Sequence, residues 1–198
     1  MLKKTLLLTS GLLIIFLSST LTRVDRTPYK ALDFYKKSIH EINQLLTKNP
    51  SRSIGDTLLI GFARANLTPS ELAPLAGYGN RRPKEMTSVH DSIYVNTTVI
   101  NNGKNKIAIV SADLLIIPPE VTALLKEKLF NTGWSLPEVF LSATHTHSSL
   151  GGWAPGLVGN MIAGTYNAKY PEFIANQIVA SIQMAEKRLN TGAWSFNE

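Results

Sequence analysis

The 198-residue chain contains no cysteine. Disulfides, thiolate metal sites and thiol nucleophiles are thereby excluded, and any metal site must be built from His, Asp, Glu or Tyr. Charge is also sparse, at 17% of residues. The net charge of +6 is scattered over positions such as Lys3, Lys4, Arg23, Arg26, Lys30, Lys36 and Lys37, with no dense basic run interleaved with aromatics. That pattern argues against nucleic acid as a partner and favours attraction to an anionic membrane surface. Internal repeats are missing as well. What remains is a chain long enough for one domain with a sizeable core and too short for two.

Long apolar runs are absent except one, Thr5 to Leu21, preceded by Lys3-Lys4. Positive residues followed by an apolar stretch form the plan of a secretory leader. Ser18-Ser19-Thr20 is a poor small-residue cleavage signal, and about 17 apolar or small residues rise about 25 Å, just short of a full span. Residues 1–22 are therefore expected to be a signal peptide or an uncleaved transmembrane anchor, with the rest of the chain outside the cytoplasm, membrane-anchored or secreted. Beyond it, Leu32, Tyr35, Ile39, Ile42, Leu45 and Leu46 recur at three- and four-residue spacings after Thr27-Pro28, which predicts a helix. His40 lies on that helix with no chemical company and reads as a surface or interface residue. Residues 23–54 are expected to be a helical stalk ending in the linker Asn49-Pro50-Ser51-Arg52-Ser53.

The globular domain is placed at 55–198. Strands are predicted over Leu58–Ala65, Ile93–Ile100 and Lys106–Leu114, the last two joined by Asn101-Asn102-Gly103-Lys104, where Asn and Gly tolerate the positive φ of a tight hairpin. Pro118-Pro119-Glu120 opens a helix expected to reach Asn131, with Gly133 as its stop. A Gly-, Ala- and Pro-rich loop is expected to about Asn167. A helix from Pro171 to Leu189 follows, with Phe173, Ile174, Ile178, Ile182 and Ala185 inward. Ala193-Trp194-Ser195-Phe196 alternates as a strand does, and a strand opening there suggests the amino-terminal part of a longer protein or a truncated reading frame. The fold class expected is α/β, a mixed sheet with flanking helices, preceded by the membrane helix and the stalk.

The chemistry-bearing stretch is Ser142-Ala143-Thr144-His145-Thr146-His147-Ser148-Ser149-Leu150-Gly151-Gly152-Trp153, which follows the apolar run Val139-Phe140-Leu141. It reads as the carboxyl end of a buried strand, where open α/β sheets place ligands. If the strand continues, alternation sets His145 and His147 on one face about 6.6 Å apart. Three hydroxyls, Thr144, Thr146 and Ser148, can orient imidazoles, and Gly151-Gly152 lets backbone approach a ligand. Two histidines are too few for a catalytic zinc site, which normally has three protein ligands and an open position. His90, in Ser88-Val89-His90-Asp91, and Asp113, at the end of Ile107–Ala112, are the further candidates, either to ligate or to hydrogen-bond a ligand. Turn chemistry for His90-Asp91 and capping for Asp113 are the plainer alternatives. A metallo-β-lactamase reading is set aside because Ser149 and Leu150 stand where that superfamily has Asp and His.

Five segments in order resemble the N-terminal domain of the neutral/alkaline, non-lysosomal ceramidases. They are Gly61-Phe62-Ala63-Arg64-Ala65-Asn66-Leu67-Thr68-Pro69, Leu75-Ala76-Gly77-Tyr78-Gly79, Val89-His90-Asp91-Ser92-Ile93-Tyr94, Val110-Ser111-Ala112-Asp113-Leu114 and Thr144-His145-Thr146-His147-Ser148. The resemblance implies a zinc-dependent amidohydrolase that converts ceramide to sphingosine and a fatty acid, with His145 as a zinc ligand and His147 beside the reacting amide as a donor. It also implies a single zinc site that this chain supplies only in part, so that the chain alone is expected to be inactive. Ser148-Ser149-Leu150-Gly151-Gly152 departs from the family's Ser-Gly-Pro-Gly-Gly, so the loop path beside the site is open. Two alternatives stand beside this reading: a non-catalytic, membrane-anchored lipid- or envelope-binding domain, and a hydrolase of the same fold acting on another amide or ester.

Overall fold

A computed structural model describes residues 2–20, 26–48, 57–79 and 85–193. The chain divides into two compact units, residues 1–52 and 53–198.

In the first unit, helix α1 spans Leu2–Thr20 and helix α2 spans Asp33–Lys48, with a 3-10 turn at Tyr29–Ala31 before α2. The hydroxyls of Thr9, Ser18 and Ser19 donate back to the carbonyls of Thr5, Ile15 and Phe16 within α1. Among the described residues no helix is long and apolar enough to cross a membrane. The expected transmembrane helix is thus corrected. Lys3 and Lys4 occupy the first turn of α1 and Ser18, Ser19 and Thr20 its last. The stretch between rises about 20 Å, against the roughly 30 Å of a hydrocarbon core. Pro28 opens the 3-10 turn rather than the helix, so α2 starts at Asp33. His40 is exposed on α2, its Nε2 2.7 Å from Gln44 Nε2. The predicted linker lies outside the described residues.

The second unit is a five-stranded mixed sheet. Its strands are β1 (Leu59–Asn66), β2 (Tyr94–Asn101), β3 (Lys106–Ala112), β4 (Val139–Ala143) and β5 (Asn190–Thr191), in the order β4-β3-β2-β1-β5. Only β3 and β4 run parallel; the other pairs are antiparallel. Period-two alternation buries Ala63, Ala65, Val95, Val99, Ala108, Val110 and Ala112 on one face. The hairpin turn between β2 and β3 is as predicted: Asn102 N–H donates to Asn105 O, and Gly103 has φ 84°.

Helix α5 (Lys169–Glu186) lies on β1 and β2, and helix α3 (Pro119–Lys128) packs on α5. Ile174, Ile178, Ile182 and Ala185 of α5 are fully buried, the face the spacing predicted. Gly61 lets α5 approach, since a Cβ there would lie 2.0 Å from the Ala185 carbonyl oxygen. Inside this contact Thr97 Oγ1 and Ser181 Oγ, both fully buried, share a 2.6 Å hydrogen bond that ties sheet to helix. Helix α3 stops before the predicted Asn131, because Leu129 passes into a 3-10 turn (Phe130–Thr132) that Gly133 ends at φ 76°.

One expectation after β4 is revised, and a second lies largely outside the described residues. The segment read as a Gly-, Ala- and Pro-rich loop contains helix α4 (Gly156–Ala163), bounded by Gly156 at φ 81° and Gly164 at φ 76°. The last strand among the described residues is the two-residue β5 at Asn190–Thr191, pairing with Leu59 and Ile60. Of the predicted strand at 193–196, residues 194–196 lie outside the described residues.

Candidate functional site

Strand β4 ends at Ala143, two residues before the first histidine of the motif. Asp113 explains where it ends. Its N–H donates to the Tyr94 carbonyl (2.9 Å), and its Oδ2 accepts from Tyr94 N–H (2.9 Å). Its Oδ1 accepts from Thr144 Oγ1 at 3.3 Å, and Thr144 Oγ1 lies 2.6 Å from Thr146 Oγ1. Asp113 therefore fastens the start of β2 to the end of β4, and its oxygens are used in that task rather than turned toward an imidazole.

Past Ala143 the backbone departs from strand geometry. Thr144 N–H and Thr146 N–H still donate to Ala112 O and Leu114 O, both at 3.0 Å, but His145 between them has φ 60° and Ser148 has φ 64°. Left-handed backbone in a non-glycine residue costs of order 1–3 kcal/mol and persists only where neighbours enforce it. Here it abolishes the alternation expected of a strand. Instead of standing about 6.6 Å apart along one face, the two rings turn toward each other, with His145 Nε2 and His147 Nε2 separated by 3.4 Å.

The two imidazoles differ in what holds them. His145 Nδ1 lies 2.9 Å from the Leu115 carbonyl oxygen. A carbonyl only accepts, so Nδ1 carries the proton and Nε2 of the neutral ring presents a lone pair. His147 Nδ1 is buried and has no hydrogen-bond partner among the described residues. A buried N–H without an acceptor is costly, which favours the tautomer with its proton on Nε2, aimed at the same space as the His145 lone pair. The pair thus offers one acceptor and one donor to a common point.

Two other loops complete the wall. Ala76 N–H donates to Ser149 O and Ser148 N–H to Ala76 O, both at 2.9 Å, so the segment around Ala76 is laced to the motif. Gly77, at φ 80°, faces the His147 ring, and a Cβ there would sit 2.5 Å from Nδ1. Tyr78 stacks obliquely on the same ring, with centroids 4.5 Å apart. Gly151 and Gly152, expected to make room for a ligand, make room for protein instead. A Cβ at Gly151 would meet the Ala163 carbonyl at 2.2 Å and the Leu75 backbone at 2.9 Å, and one at Gly152 would meet the Tyr170 ring at 2.5 Å.

A cleft of about 370 Å³ opens beside His147, lined by Thr68, His90, Asp91, Thr146, Ser148 and others. The structure thus brings His90 to the same cleft as His147. His90 itself is almost fully exposed, with Nδ1 2.7 Å from Asp91 Oδ2. That hydrogen bond, and then the carboxylate's charge, raise its pKa above the ordinary imidazole value. Among the described residues no group of three or more His, Asp or Glu side chains converges to hold a metal. Sequence reasoning missed Gly77 and Tyr78 as supports of His147. Their only sequence signal was membership of the Leu75–Gly79 segment.

Residues 58–198 match the family described as neutral/alkaline non-lysosomal ceramidase, N-terminal. The chain belongs to this family. Two solved structures are similar to the ceramidase-type unit. One is neutral ceramidase from Pseudomonas aeruginosa, with 25% sequence identity and a TM-score of 0.62. The other is described as ceramidase complexed with C2, with 25% identity and a TM-score of 0.61. Each match covers 69% of this chain and 22% of the solved one, so the chain spans less than a quarter of the ceramidases it resembles.

Proposed function

We propose that the chain is the N-terminal part of a zinc-dependent amidase that cleaves the N-acyl amide of ceramide-like lipids to a sphingoid base and a fatty acid. One observation carries the reading: two imidazole Nε2 atoms, which their surroundings assign as one acceptor and one donor, lie 3.4 Å apart in a strained, fold-enforced loop beside a cleft. His145 suits a metal, since a ligating histidine characteristically gives its other N–H to a backbone carbonyl or carboxylate, as Nδ1 does here to Leu115. The remaining ligands come from outside the described residues. Bound at His145, zinc would acidify a coordinated water and polarise the acyl carbonyl.

The protein's own part follows from the donor. His147 Nε2–H, beside the His145 lone pair, would donate to the amide oxygen and stabilise the negative charge that grows on it as the carbon becomes tetrahedral. Tyr78 and Gly77 hold that ring in place. The net change adds hydroxide to the acyl carbon and a proton to the departing amine.

The test uses the product of the complete gene. About one zinc per chain and hydrolysis of a fluorescent N-acyl sphingosine are expected. His145→Asn should lose both, and His147→Phe should keep the metal while losing roughly a hundredfold in kcat. Unchanged hydrolysis in His145→Asn overturns the proposal. A second reading, a non-catalytic lipid-binding domain, is favoured by the lack of a three-residue metal group among the described residues. It requires that the complete product contain no stoichiometric zinc. The site works outside the cytoplasm in this proposal, with α1 acting as an export leader whose exposed apolar side chains meet the membrane surface. Protease accessibility in intact cells checks that placement, and protection from external protease rejects it.

A further inference from the structure

The hydroxyls beside the histidine pair form a chain whose protons can be placed. Thr144 Oγ1 has two neighbours that only accept, Asp113 Oδ1 at 3.3 Å and Ala112 O at 3.4 Å. Its single proton goes to one of them. Thr144 Oγ1 also lies 2.6 Å from Thr146 Oγ1, and oxygens that close share a proton between them. Thr144 has none left to give, so Thr146 is the donor. The order is the same whichever acceptor Thr144 uses, because neither the carboxylate nor the carbonyl can give a proton back.

Thr146 therefore keeps only lone pairs. Its Oγ1 has no other hydrogen bond among the described residues, and the residue is half-buried. The main chain on either side of that hydroxyl is held: Thr146 N–H donates to Leu114 O at 3.0 Å, and Ser149 Oγ donates to Thr146 O at 2.8 Å. Thr146 is thus a fixed acceptor on the wall of the cleft that it shares with His147. The site carries two complementary polar groups, the N–H of His147 and the acceptor of the residue before it.

A secondary amide offers the matching pair, a carbonyl that accepts and an N–H that donates, whereas an ester has no N–H. We propose that Thr146 Oγ1 accepts the N–H of the scissile amide and so makes the site select a secondary amide over the corresponding ester. The inference rests on the proposed amide cleavage and adds the group that reads the bond. An ester oxygen in the place of the N–H would set lone pairs against lone pairs and leave the hydroxyl oxygen unmet, which is costly in a cleft shielded from water. A wall built to bond a substrate N–H rejects the analogue lacking it more strongly than an apolar wall rejects a change of size. Asp113 and Thr144 act at one remove: by taking protons, they stop Thr146 from turning donor and accommodating the ester.

The test uses the product of the complete gene as isolated, with two probes that share a fluorophore, a short acyl chain and an amino-alcohol portion and differ only in an amide N–H or an ester oxygen at the acyl link. Affinity is read by fluorescence anisotropy within milliseconds of mixing, before turnover. The wild type should bind the amide roughly tenfold more tightly than the ester, the value of one neutral hydrogen bond. Thr146→Val should abolish the preference by weakening the amide, and Thr146→Ser should keep it. Thr144→Val releases the Thr146 proton and should tighten ester binding, a gain that a merely structural role for the hydroxyls does not produce. It carries the test alone if Thr146→Val fails to fold. Equal affinities in the wild type, a preference that survives Thr146→Val, no tightening of the ester in Thr144→Val, or no binding of either probe overturns the proposal. Zinc content and hydrolysis are measured separately, so a product without zinc or turnover rejects the amidase reading while the amide-to-ester ratio still reports on Thr146.

Discussion

The three candidate histidines stand in two pairs, His145 with His147 and His90 with its neighbour Asp91, and the fold treats the pairs in opposite ways. His145 and His147 sit in a loop where one backbone is left-handed, one ring nitrogen is bonded to a carbonyl and the other ring is boxed by Gly77 and Tyr78. His90 and Asp91 hold chiefly each other, with side chains almost entirely in water. His147 of the first pair and both members of the second line one cleft. A ring fixed by its neighbours needs no reorganisation to meet a substrate, whereas an exposed ring must give up rotamer freedom first. The strained loop therefore presents two rings already fixed in place, and the exposed pair presents an adjustable edge.

Substitutions can break that contrast. The largest effect is expected at Gly77→Ala, which adds left-handed strain and pushes against His147 Nδ1 at 2.5 Å. Thermal unfolding should show a loss of about 2 kcal/mol, and the His147 ring resonances should move while those of His90 do not. An unmoved His147 would mean that its position is not set by Gly77. Next comes Asp113→Ala, which leaves Tyr94 N–H without its carboxylate and frees Thr144 Oγ1. About 1.5 kcal/mol of stability should be lost. Asp113→Asn should recover part of it, because the amide oxygen can still accept from one of them.

The smallest effect sharpens the other side. His90 titrates above its ordinary value because Asp91 favours the protonated ring. Whatever the pair adds to stability is thus fully present below the ordinary imidazole value and disappears as pH rises through the raised one. Asp91→Asn should return the His90 titration, followed by NMR, to the ordinary range without changing the melting temperature at neutral pH, and added salt should shrink the wild-type shift. A large stability change would show that the pair is tied into the fold after all.

These contrasts also say what a sequence discloses. The alternation of β1, β2 and β3, the Asn-Gly hairpin and the inward face of α5 could be read directly, because each depends on local period or turn chemistry. Helix α4 could not. Its Leu157, Val158, Met161 and Ile162 do fall on one face, but Gly156, Gly159, Gly164 and Pro155 look like loop residues until long-range contacts with Gly77 and Gly152 fix them. The histidine geometry was missed for a related reason. Alternation presumes that a strand continues, whereas Asp113 and the hydroxyl pair end it, and no local pattern marks a left-handed His145. The Gly151-Gly152 pair was legible as close approach; what approached was the α4 carbonyl at Ala163 and the Tyr170 ring.

The left-handed backbone at His145 bears on how this position can change over generations. Histidine, asparagine and aspartate tolerate that conformation better than other side chains, and only glycine is free of its cost. A lineage that lost the proposed hydrolysis but kept the fold would therefore drift at position 145 toward Asn, Asp or Gly and avoid Ala, Val or Leu. The residue found there in a decayed relative would thus record the backbone's demand after the chemical one had lapsed, and a β-branched residue in a folded relative would show that the loop had been rebuilt.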